Sequence, residues 1–155
     1  SDKIYQVIAD RSAQIGTFAH GYTYSGHPVA AAVAVETLKI YEERDIVGRV
    51  RKLAPRFQEG LRSFAGHKLV REARGVGLIG ALELVSDKRS KAGFQPPGRA
   101  GAVFAAKAQE HGLICRNLVD AVALCPPLII TESEIDEMMR RFGLALDATA
   151  RELEL

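Results

Sequence analysis

The sequence predicts an α+β domain, a small antiparallel or mixed sheet with helices packed on one side and a long helix ahead of it. Three observations lead there. An alanine-rich run without breakers starts at Pro28, the hydrophobic period changes from three-and-four to two around Leu78–Val85, and Thr131 followed by Glu134 forms a capping-box start for a last amphipathic segment. After a short opening helix the order is helix, helix, strand pair, helix, strand, strand, helix, which suits such a sheet.

Each element has its own warrant. Residues 1 to 11 read as a short helix or the tail of one, and Ser12 to His27 has the Gly, Ser and Thr content of an irregular connection. The run PVAAAVAVETLKIYEERD from Pro28 is apolar or small around most of its circumference, so the helix it forms is expected to be enclosed. Val47, Val50, Ala54, Phe57, Leu61 and Phe64 then give one stripe on a second helix that Gly66 can close. In LVREARGVGLIGALELVSDK, Leu78, Gly80, Leu82 and Leu84 alternate with Ile79, Ala81, Glu83 and Val85, a strand pattern. Asp87 to Gly93 reads as a turn, and FQPPG excludes regular structure. A third helix is expected from Arg99 to His111, closed by Gly112, and two short strands at GLICR and AVALC. The last helix carries the stripe Ile135, Met138, Phe142, Ala145, Thr149 and Leu153.

Composition narrows the function classes. A chain of 155 residues with 47% hydrophobic and 26% charged residues can bury a core and is about one domain long. Its net charge of +2, with the signs interspersed, offers no basic stripe for nucleic acid. No apolar run reaches the ~20 residues of a membrane span, and the start SDKIYQVIAD lacks the regions of a signal peptide, so the cytoplasm is the expected compartment. Cys115 and Cys125 are ten apart without a CxxC pattern, and the four histidines have no ligand spacing, so no metal site is expected. Nothing resembles GxSxG, a carboxylate pair or a Cys with a positioned His, and no complete catalytic set is present.

One motif invites a dinucleotide reading. Gly75-Val76-Gly77-Leu78-Ile79-Gly80 matches GxGxxG, but that fingerprint must end a strand and open a helix, whereas these glycines lead into a period-two segment. A bent or bulged strand is the expectation here.

The stretch HGYTYSGHP, His20 to Pro28, packs four hydroxyl side chains and two glycines ahead of the alanine-rich helix. Two readings account for it. Helix starts need caps, with Pro28 suited to the first helical position and Ser25 a cap candidate; the same open N–H groups and the helix dipole also suit an anion.

HGYTYSGHP followed by this helix resembles the class III aminotransferases, the ω-amino acid and amine:pyruvate branch of the pyridoxal phosphate enzymes of fold type I. RGVGLIGALELV resembles the family's small-domain strand pair, GLICR its next strand, and CPPLIITESEIDEM its PPL strand end and last helix. The resemblance implies that residues 1–27 end a large cofactor domain, 28–47 form an interdomain helix and 48–155 form the small C-terminal domain. It implies pyridoxal 5'-phosphate as cofactor, a homodimer, and an amino donor and a keto acid such as pyruvate as substrates. Tyr22 and Thr23 are then expected at the cofactor phosphate of the neighbouring subunit, and Arg116 at a substrate carboxylate, where a planar, permanently charged fork is suited. Many relatives have Gly-Asp after this arginine's loop, whereas this chain has Arg116-Asn117-Leu118-Val119-Asp120.

The family's catalytic lysine lies upstream of HGxTYSGHP, so none of Lys3, Lys39, Lys52, Lys68, Lys88, Lys91 or Lys107 matches it. A C-terminal portion of a transaminase, inactive by itself, is therefore expected. The competing expectation is a non-catalytic α+β interaction or regulatory module, or a degenerate paralogue.

Overall fold

Every fully buried side chain lies in the second of two units into which the chain divides, Ser1–Ile40 and Tyr41–Leu155. The structure is a computed structural model and describes residues 1–155.

In the first unit α1 spans Asp2–Ile15 and stops at Gly16, whose φ of 99° is open to glycine. The helix outruns its expected end at residue 11 because RSAQI contains no breaker. An irregular stretch follows to His27, and α2 runs Pro28–Glu43. The expectation that α2 is enclosed is not met within this chain: it buries no residue, and Val29, Val33, Val35 and Leu38 are exposed. Alanine-rich propensity is enough to form a helix, but burial needs a covering surface.

The second unit begins with α3, Ile46–Ser63, whose first turn is capped by the Asp45 carboxylate accepting from the Gly48 N–H at 3.2 Å. The stripe turns by one position from its expected course, since Leu53, Phe57, Gln58 and Leu61 are buried while Val47 is exposed. Gly66 closes a 3₁₀ turn, Phe64–Gly66, after the α-helix has ended.

β1 (Val70–Val76) and β2 (Ile79–Leu84) then form an antiparallel hairpin in which Val76 faces Ile79. The glycine motif is thus neither a phosphate loop nor a bent single strand. Gly77, at φ 58°, begins a two-residue reversal of the kind that requires left-handed backbone. Gly80 lies against Leu61 and Phe57 of α3, where a Cβ would collide. The expected strand pair forms here, although period-two alternation runs on through its reversal, because Leu78 and Leu82 are both buried. The one irregularity in pairing lies between Val70 and Glu72.

α4 spans Arg99–Glu110, β3 Arg116–Leu118, β4 Ala121–Leu124 and α5 Glu132–Glu152. The third strand starts later than GLICR suggested: the Leu113 N–H still bonds the Ala108 carbonyl at 2.8 Å, so the chain cannot join the sheet until it has left α4. The sheet order is β1-β2-β4-β3, antiparallel throughout.

Thr131 and Glu134 form the expected capping box on α5. The helix buries Ile135, Met139, Phe142, Ala145, Leu146, Thr149 and Ala150, with Met139 rather than Met138 fully inside. Phe142 sits between Phe104 of α4, ring centres 4.7 Å apart, and Phe64 at 5.3 Å. No helix is long and apolar enough to cross a membrane.

His67 joins the end of the 3₁₀ turn to α5. Its Nδ1 accepts from the Leu69 N–H at 3.2 Å, and its Nε2 lies 3.4 Å from an Asp147 carboxylate oxygen. Burial pulls its pKa below the ordinary 6.5, with Asp147 opposing and Lys68 and Lys88 adding to the depression. At neutral pH the folded state therefore favours the neutral imidazole.

Two outcomes follow for this chain in solution. Phe142→Ala removes a ring that is 0% exposed and should cost about 3–5 kcal/mol, read from a urea transition. Because the histidine's folded pKa is depressed, its contribution is complete above pH 6.5 and is lost as pH falls toward the folded value. The fall in melting temperature on acidification through that window should be shallower in His67→Gln.

Candidate functional site

In the first unit the stretch before α2 is a turn held by its own backbone. The Ser25 N–H bonds the Tyr22 carbonyl at 3.0 Å, the His27 N–H bonds that of Tyr24 at 3.1 Å, and Gly26 takes φ 74°. The Ala31 N–H reaches the His27 carbonyl at 2.9 Å, so His27 holds the capping position. Ser25 lies two residues too early to cap the helix, and its expected capping role is not seen. Pro28 is the first helical residue, as expected.

Tyr22, Thr23, Tyr24 and Ser25 are all exposed, and the first turn of α2 contains no acidic residue. The His20 and Tyr22 rings meet edge to face at 5.6 Å, and Tyr24 lies 5.8 Å from His27. The turn thus offers hydroxyl donors beside a positive helix end, without a competing carboxylate. That combination fits a phosphate group.

The second unit carries two arginines on the open face of its sheet. Arg74 pairs with Ala81, Ala81 with Ala123, and Ala123 with Arg116, so the four side chains form one row across all four strands on one face of the sheet. Leu82 and Val122 belong to the opposite, buried face, which α3 and α4 cover. The row has an arginine at each edge and two methyl groups between.

The two arginines are not equivalent. Arg74 lies 2.8 Å from a Glu83 oxygen and 3.5 Å from Glu72, so carboxylates answer its charge. Arg116 is exposed and has no carboxylate within ion-pair distance. A surface salt bridge, the bland account of a lone arginine, is not formed. Beside it an apolar groove of about 530 Å³ runs past Ala123, Cys125 and Pro126 to Met138.

Arg116 opens β3 instead of ending a strand, and Asn117 to Asp120 is not a loop. Asn117 and Leu118 continue the ladder with β4, leaving Val119 and Asp120 as a two-residue turn. Asp120 is the residue that sequence reasoning missed. Its carboxylate accepts from the Gly98 N–H at 2.8 Å and the Gly101 N–H at 3.0 Å, bonds that span 22 and 19 residues and leave no local signature. Neither cysteine is paired, and burial raises the Cys115 thiol pKa, which works against thiolate chemistry.

The first unit thus exposes hydroxyls at a helix start, and the second a guanidinium without a counterion on an open sheet face. The class-III aminotransferase family model matches residues 1–146, and the chain belongs to that family. Among similar proteins is a probable γ-aminobutyrate transaminase 3, mitochondrial, of Oryza sativa subsp. indica, 46% identical over 149 residues, which cover 96% of this chain and 29% of the relative. γ-Aminobutyrate transaminase 1, mitochondrial, of Solanum lycopersicum is 43% identical over 99% of this chain and 30% of its own length. A crystal structure of an ω-transaminase from Pseudomonas jessenii in complex with PMP superposes with a TM-score of 0.83 at 48% identity, covering 97% of this chain and 33% of that one. The chain thus spans about 30% of the length of the curated relatives named here.

Proposed function

We propose that this chain forms the C-terminal part of a pyridoxal 5'-phosphate-dependent aminotransferase. The parent moves an amino group from an ω-amino acid or amine to a keto acid such as pyruvate, as a homodimer and in the cytoplasm. The observation that carries this reading is the Arg116 guanidinium, free of counterions beside an apolar groove. γ-Aminobutyrate, which appears in the names of the rice and tomato relatives, is itself an ω-amino acid and falls within the proposed donor class.

The cofactor, when bound, supplies the electron sink on which amino transfer depends. This chain's residues bind and orient. Thr23 offers its hydroxyl and backbone N–H to the phosphate with Tyr22 beside it, and the dipole of α2 adds favourable potential there. Arg116 donates from its two-pronged face to the substrate carboxylate, and Ala81 and Ala123 leave room on the sheet for the guanidinium to reorient. None of the chain's lysines takes the catalytic role in this reading; Lys39 is engaged by Glu36, and Lys107 by Glu110 and Glu152.

The reading is tested in the full-length parent. Arg116→Ala should raise KM for pyruvate by roughly 30-fold to 1000-fold, as expected when a bound carboxylate loses its partner, and should spare a carboxylate-free amine in its own half-reaction. Equal losses for both substrates would assign Arg116 to structure instead. Thr23→Ala should weaken cofactor binding about tenfold to a hundredfold, measured by equilibrium titration, and an unchanged dissociation constant would remove Thr23 from the phosphate site. The 155-residue chain alone should show no transaminase activity with added cofactor.

A further inference from the structure

We infer that Asp120 is a positioning residue for Arg116, holding the short edge strand that carries the arginine in the place where it meets the substrate carboxylate. The inference rests on the substrate role proposed for Arg116. It starts from a deficit in α4: the residue at its N-cap position is Gly98, which has no side chain with which to cap the helix. Asp120 does the work from a distance. One carboxylate oxygen accepts from the Gly98 N–H and the other from the Gly101 N–H, and the negative charge sits at the positive end of the helix dipole. The Asp120 carbonyl also accepts the Leu84 N–H at 2.9 Å. One residue thereby ties the start of α4, the end of β2 and the β3–β4 turn together.

The turn needs that anchor. Val119, its other residue, takes φ 59°, a left-handed conformation that is disfavoured for a β-branched side chain. Its carbonyl lies directly over Gly101, at a place that a Cβ on residue 101 would occupy. β3 has three residues and only one neighbouring strand, β4, so the ladder by itself gives it little hold. Arg116 stands four residues from Asp120, at the far end of that strand. A turn released from α4 would let β3 shift on β4 and move the base of the guanidinium. Such a change strikes only the substrate that uses Arg116.

The test uses two variants of the full-length parent. Asp120→Asn keeps the shape but presents an NH₂ to one of the two backbone donors, and Gly101→Ala leaves Asp120 intact while displacing the Val119 carbonyl. Each should raise KM for pyruvate about tenfold, in line with the cost of misplacing a binding group, and leave the half-reaction with a carboxylate-free amine unchanged. Added to Arg116→Ala, neither should cause a further loss for pyruvate. Hydrogen exchange by mass spectrometry over residues 116–124 should speed up in both. Unchanged exchange there overturns the proposal whatever the kinetics, as do equal losses in both half-reactions or a further loss on top of Arg116→Ala. If Arg116→Ala itself spares pyruvate, the substrate reading of Arg116 has failed; faster exchange would then show that Asp120 holds the hairpin without a positioning role.

Discussion

One-sided burial of the four-stranded sheet is the constraint on which the rest of the second unit depends. α3 and α4 supply apolar cover for one face, with α5 packed on them, so the alternation along each strand sorts residues into inside and outside without exception near the centre. Leu82 and Val122 go in; Ala81 and Ala123 go out. Arg116 is on the outer face because its partner Ala123 is, and a slip of one residue in that pairing would turn the arginine toward Phe104 and the core. Packing of the helices thus decides which charges the open face can present.

The open face then distributes its charge unevenly. Glu83 and Glu72 answer Arg74 at one edge, while Arg116 keeps its charge at the other, about three strand spacings, or roughly 15 Å, away. An exposed ion pair adds little to stability, so the carboxylates around Arg74 matter more for the potential they cancel than for the energy they contribute. The remaining positive potential on the row is concentrated at Arg116. The first unit exposes hydroxyls and the start of α2 in place of a guanidinium. A phosphate with several oxygens suits many small donors, and a carboxylate with two suits one fork.

Much of this architecture is legible in the sequence because its signals are local. Thr131 and Glu134 announce α5, Pro28 announces α2, and the alternation through Leu82 and Leu84 announces a strand. What stayed hidden was set by partners distant in the chain. The Gly77 reversal is masked because the buried positions keep period two across it, and the start of β3 depends on a hydrogen bond back to Ala108. Tyr22, Thr23 and Arg116 are candidates only through family resemblance, for a hydroxyl in a loop or an arginine beside a strand has no distinguishing local pattern. Asp120 was less readable still. Its partners are backbone groups of Gly98 and Gly101, and glycines after FQPP read simply as a turn.

The pairing of Val119 with Asp120 shows how a β-branched residue is held at positive φ. Glycine would take such a positive φ without penalty. With valine, the turn is held from outside, by the two bonds from α4 to the Asp120 carboxylate and by the Leu84 N–H on the Asp120 carbonyl. Gly101 is part of the same solution, since its missing side chain is what allows the Val119 carbonyl to approach α4 so closely. A valine at this φ leaves the turn little freedom: the Asp120 carboxylate and the bare Gly101 of α4 together fix where the Val119 carbonyl sits.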